Sequence, residues 1–172
     1  VEKGQVEAAK VLALVDDTPE SFAAIQKAVV ALAKTTGVRL DSEAYGWTRY
    51  ALGRAAAATM AVANDKTKSA NAAIDFYCQA AMSMHGAQKE LPADAIKRAM
   101  NLLWNMPDVQ AYAPNAPKPM DKKEWFKAPA NFRDAVAMAH YYKTVYETGT
   151  PDPLATQLDA YYFNQLKGAK KG

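Results

Sequence analysis

Gly37-Val38-Arg39-Leu40-Asp41-Ser42-Glu43-Ala44-Tyr45-Gly46-Trp47-Thr48-Arg49-Tyr50-Ala51-Leu52-Gly53-Arg54-Ala55 carries a helix stop, a short turn and a helix start in direct succession. Glycine is the preferred residue just past a helix end, and Asp41 or Ser42 can cap the orphan amides of the next helix. Beyond the cap, Tyr45, Thr48, Leu52 and Ala55 share one helical face, and the run Ala55-Ala56-Ala57-Ala58 carries the helix toward Ala63. Upstream, Thr18-Pro19-Glu20 supplies a hydroxyl cap, a proline at the first helical position and an early acid. Phe22, Ile25, Val29 and Leu32 then recur at helical spacing up to Gly37.

The same grammar extends outward in both directions. Val6 to Val15 reads as a modest first helix. After the break at Asn64-Asp65-Lys66, a helix starting at Ser69 carries Ala73, Phe76, Ala80 and Met84 and stops at Gly86. Pro92-Ala93-Asp94 opens the next, with Ile96, Ala99, Met100 and Leu103 on one face and Pro107 beyond it. Asn131 and Asp134 begin another, with Ala135, Met138, Tyr142 and Val145 in register up to Gly149. Asp152-Pro153 starts the last, carrying Leu154, Leu158 and Tyr161. Alternating β-branched runs are missing, so the expected class is all-α, about seven helices in antiparallel pairs. The expected layout is one helical-repeat domain over 1–172, with a Pro-rich insertion at 107–129 and a basic tail at 167–172.

The insertion holds five of the nine prolines and so cannot be one continuous helix. It also holds Tyr112, Trp125 and Phe126, which favours an ordered excursion with a short helix from Asp121 to Lys127. Tyr141-Tyr142, Tyr146 and Tyr161-Tyr162-Phe163 crowd the final helices. Successive helical residues point about 100° apart, so these rings cannot all face one core. Tyr112, Trp125, Phe126, Tyr161 and Tyr162 are therefore the candidate protein interface, with packing on the chain's own core as the competing role for each.

No catalytic, cofactor or metal site is expected. His85 and His140 lack the close spacing of a helical metal site, and Asp16-Asp17 precedes a helix start, where negative charge complements the dipole. The single cysteine, Cys78, excludes an intramolecular disulfide and sits in an apolar helical pattern. Lys plus Arg exceed Asp plus Glu by 21 to 18, an excess too small and too dispersed to argue for nucleic acid. No apolar run approaches the roughly 18 residues of a membrane span. A start at Val1 fits a removed targeting segment, and a recombinant product would show the same.

Three junctions, at Gly37, Gly86 and Gly149, repeat the order of glycine, turn, aspartate and amphipathic helix, as a right-handed solenoid of helix pairs requires. Gly37, Asp41, Tyr45 and Leu52, with the ending Leu52-Gly53-Arg54-Ala55, resemble the pentatricopeptide repeat. The resemblance spans Thr18 to about Leu166; it is closest at the first junction and weakest at the second. The Gly37–Gly86 and Gly86–Gly149 intervals exceed the family's usual repeat, which implies expansions inside two repeats. RNA-reading members place a polar side chain just after the first-turn aromatic. Here that position is Gly46, and Arg98, Ala99 and Gln157 form no consistent set elsewhere. Sequence-specific nucleic-acid readout is therefore not expected, although an organellar RNA-binding repeat protein and a free-standing adaptor stay open. In length and layout the chain resembles the small extra subunits of the euglenozoan mitochondrial ATP synthase. That resemblance implies a non-catalytic subunit, on the matrix side of the inner membrane, docked on the catalytic head against the α subunit.

Overall fold

Asp65, Asp121 and Asp152 cap helices with their carboxylates, and Pro19, Pro107 and Pro153 stand at first helical positions. In the computed structural model the described residues are 18–36, 43–83 and 89–162. They hold eight α-helices and no strand. The expected helix at Val6 to Val15, the acid pair Asp16-Asp17, the turn residues Gly37, Asp41 and Gly86, His85 and the basic tail all lie outside them. The chain divides into two units, Val1–Ala99 and Met100–Gly172.

In the first unit, helix α1 spans Pro19–Thr36. Thr18 Oγ1 accepts from the Ser21 amide at 3.3 Å, the cap expected from its hydroxyl. Helix α2 spans Glu43–Thr59 and stops short of Ala63 in a turn at 60–62. Helix α3 spans Lys66–Ser83. It starts three residues before Ser69, because the Asp65 carboxylate accepts from the Lys68 amide at 2.9 Å and serves as the cap. Helix α4 spans Glu90–Trp104, with its last five residues assigned to the second unit, and Pro92 and Asp94 fall inside its first turns.

Helices α2 and α3 pack through small residues: Ala51, Ala55 and Ala56 on one, Ala70, Ala73 and Ala80 on the other, all buried. Tyr45 reaches Gln79 at 3.4 Å, while the later Gly53 faces the earlier Tyr77, the order of an antiparallel pair. Gly53 is required there. A Cβ on it would stand 2.8 Å from two carbons of the buried Tyr77 ring.

In the second unit the Pro-rich segment is ordered. Helix α5 spans Pro107–Tyr112, a 3₁₀ turn follows over Ala113–Asn115, and helix α6 spans Lys122–Lys127. The expected short helix at Asp121 forms because the Asp121 side chain accepts from the Glu124 amide at 2.8 Å. The Lys118–Pro119 peptide is cis. Val109, Ala113, Met120 and Ala128 are buried and tie the segment down. Helix α7 spans Ala130–Val145, and helix α8 spans Pro153–Asp159. Between them Gly149 takes φ 81°, a left-handed conformation that favours glycine, and the Asp152 carboxylate caps α8 through the Ala155 amide at 2.9 Å.

Candidate functional site

The five aromatic candidates take different places. Tyr161 is 3 % exposed; its hydroxyl donates to the Ala113 carbonyl at 3.2 Å and its ring meets Phe132 edge-on at 5.1 Å. Tyr112 is half-buried and also meets Phe132 edge-on, centroids 5.0 Å apart. Trp125 is half-buried and packs edge-on to Tyr162, which in turn stacks flat on His140 at 3.7 Å. Phe126 alone of the five points outward, 59 % exposed on α6. Four rings thus pack within the insertion's own unit, and the structure brings Trp125 and Tyr162 together while the neighbouring Phe126 stays exposed. Tyr141, 48 % exposed, and Val145 lie one turn apart on the outer face of α7, the outcome required by adjacent aromatics that point 100° apart.

A second feature lies in the first unit and was missed from sequence. Ala23, Gln26, Lys27 and Val30 form one wall of an open groove of about 670 Å³, and Arg49, Leu52 and Phe76 form the other. Leu52 is buried and Val30 is 52 % exposed. The Arg49 guanidinium lies 4.5 Å from the Tyr45 ring centroid and 5.8 Å from that of Phe76. Its Nε is buried, and among the described residues no acceptor reaches it. Two cations and no acid stand among the described residues lining this apolar groove. The signal in sequence was the Tyr45–Arg49 spacing of one turn, which places a cation over a ring.

The other polar groups are occupied structurally. Tyr50 donates to Asp94 across α2 and α4, and Arg98 Nε donates to the same carboxylate at 2.7 Å. Burial first, then the hydrogen bond and charge of Asp94, pushes Tyr50 up to about 12. Burial opposes the Arg98 charge, but the bond and charge of Asp94 more than offset it and raise the guanidinium above its ordinary value. His140 Nδ1 stands 2.8 Å from Asp159, whose other oxygen is 3.6 Å from Lys143. Cys78 is half-buried on α3. Among the described residues no three His, Cys, Asp or Glu side chains converge as metal ligands would, and no helix is long and apolar enough to cross a membrane.

No family model, curated protein or solved structure matches the chain.

Proposed function

We propose that this chain is a non-catalytic helical-repeat subunit of the mitochondrial ATP synthase, docked outside the catalytic head against the α subunit on the matrix side of the inner membrane. The resemblance in layout supplies the complex. The observation that supports a docking role is Phe126, a large exposed ring on a short helix whose neighbour Trp125 is packed against Tyr162. A hot spot needs an aromatic held in place before binding, because ordering it on contact would cost affinity. The capped α6, the edge-on Trp125–Tyr162 contact and the Tyr162–His140 stack provide that bracing.

The test is Phe126→Ala in cells, read by native electrophoresis of the complex and by melting of the purified variant. Loss of a hot-spot ring weakens binding about 30-fold or more, so the variant dissociates from the head while its melting point holds. A variant that stays fully assembled would remove Phe126 as the anchor. A wild-type chain that never co-migrates with the synthase would remove the whole reading.

A further inference from the structure

We propose that the α1–α2–α3 groove is a docking site for an acidic amphipathic helix of a partner protein, with Arg49 receiving its carboxylate. This inference stands apart from the reading above, since it rests on the first unit alone and names no complex.

The wall from α1 presents Ala23, Gln26, Lys27 and Val30, spaced i, i+3, i+4 and i+7. Those positions span about 10 Å, or two helical turns, at roughly 1.5 Å per residue. An apolar stripe of the same period on a partner helix matches that length. Leu52 and Phe76 provide the opposite apolar wall. The groove is open to solvent, so an occupant buries one face and keeps the other in water, as an amphipathic helix does.

Charge selects the acid. Lys27 and Arg49 are the charged residues of the described lining, and both are cations. Arg49 has lost water at Nε without gaining an acceptor among the described residues. A buried donor left unpaired costs free energy, which an arriving carboxylate recovers. The Tyr45 and Phe76 faces beside the guanidinium restrict its position, so little entropy is lost when the carboxylate binds. A carboxylate on an apolar tail offers similar chemistry from a lipid, but an open groove two turns long leaves much of a bound acyl chain in water.

The experiment displays a library of 15-residue binary-patterned amphipathic helices against the immobilised full chain, with sodium dodecanoate as the lipid probe. Arg49→Met keeps the side-chain stem and removes the charge. Val30→Asp puts a repelling acid on an exposed wall position that does not serve the core. The expected result is enrichment of Asp or Glu at one fixed position beside the apolar stripe. Binding of the enriched peptides should fall at least about tenfold in each variant, with helical content unchanged by circular dichroism. Failure to enrich any peptide, enrichment without an acid, or equal binding to both variants overturns the proposal. Dodecanoate binding more tightly than every enriched peptide, and losing that binding with Arg49→Met, assigns the groove to a lipid carboxylate and overturns it as well.

Discussion

Tyr50 sits where α2 meets α3 and α4. Its ring packs edge-on to Trp47 at 6.1 Å and Tyr77 at 5.8 Å, while its hydroxyl donates to Asp94. Removing that hydroxyl as Tyr50→Phe leaves Asp94 paired with Arg98, so the expected cost at neutral pH is the one hydrogen bond to a charged acceptor, about 1.5 kcal/mol. The alkaline behaviour follows with a definite sign. Tyr50 titrates near 12 in the folded chain against 10.0 unfolded, so between these values the native state holds the extra proton. Stability is then fully present below pH 10 and declines as pH rises toward 12. Tyr146, also pushed up to about 12 by burial first and then by its hydrogen bond to Tyr141, contributes to the same window. Denaturant melts from pH 9 to 12 should show a shallower alkaline decline in Tyr50→Phe than in the parent chain. An unchanged slope would assign the window to Tyr146.

At the scale of elements, Gly53 tests how α2 and α3 approach. Gly53→Ala gains about 1 kcal/mol of helix propensity but drives a Cβ to 2.8 Å from the Tyr77 ring, an overpacking that costs about 1–3 kcal/mol. Because Tyr77 is buried with its ring bracketed, the clash should prevail and the melting point fall by several degrees. Gly149→Ala provides the contrast. Nothing lies within 4 Å of its Cβ position, so only the left-handed φ of 81° is penalised, by about 1–2 kcal/mol. Equal stability of Gly53→Ala and the parent would mean that α2 and α3 shift apart freely. These elements also show what could be read from sequence. Pro19, Asp121 and Asp152-Pro153 located helix starts because a cap or a preset φ acts locally. The start expected at Ser69 lies three residues late because Asp65, inside the Asn64-Asp65-Lys66 break, is itself the cap and satisfies the Lys68 amide. The helix at Pro107–Tyr112 was missed because proline density suggested irregular chain, yet a proline in the first turn of a short helix sacrifices no hydrogen bond. Which rings of the aromatic set turned inward depended on contacts such as Tyr161 with Ala113, 48 positions apart, and no local pattern encodes those. The Arg49 groove needed the pairing of three helices, so the spacing of Tyr45 and Arg49 only hinted at it.

For the molecule as a whole, the contest is between docking to protein and binding to RNA. Phosphate binding scales with the number of cations that can meet a backbone, and each neutralised phosphate releases counterions. The net charge of +3 is small, and several cations already have protein partners: Arg98 bonds Asp94, Lys127 bonds Glu124 at 3.1 Å, and Lys143 lies near Asp159. At the positions compared with RNA-reading repeats, Gly46 is buried in α2, Ala99 is fully buried and Arg98 is engaged; Gln157 alone reaches a surface cleft, beside Trp104 and Tyr161. Sequence readout depends on several such side chains arrayed at repeat spacing, since one hydrogen-bonding site per molecule discriminates little. The purified chain should therefore bind single-stranded RNA weakly at low salt, with no preference among homopolymers, and lose that binding between about 50 and 200 mM salt. Fluorescence anisotropy across that salt range distinguishes the alternatives. A sequence-selective complex that survives at 200 mM would make RNA the partner and turn the apolar groove and exposed Phe126 into secondary features. Loss of binding at that salt would argue against RNA as the partner and leave the apolar groove and the exposed Phe126 as the surfaces to test for protein docking.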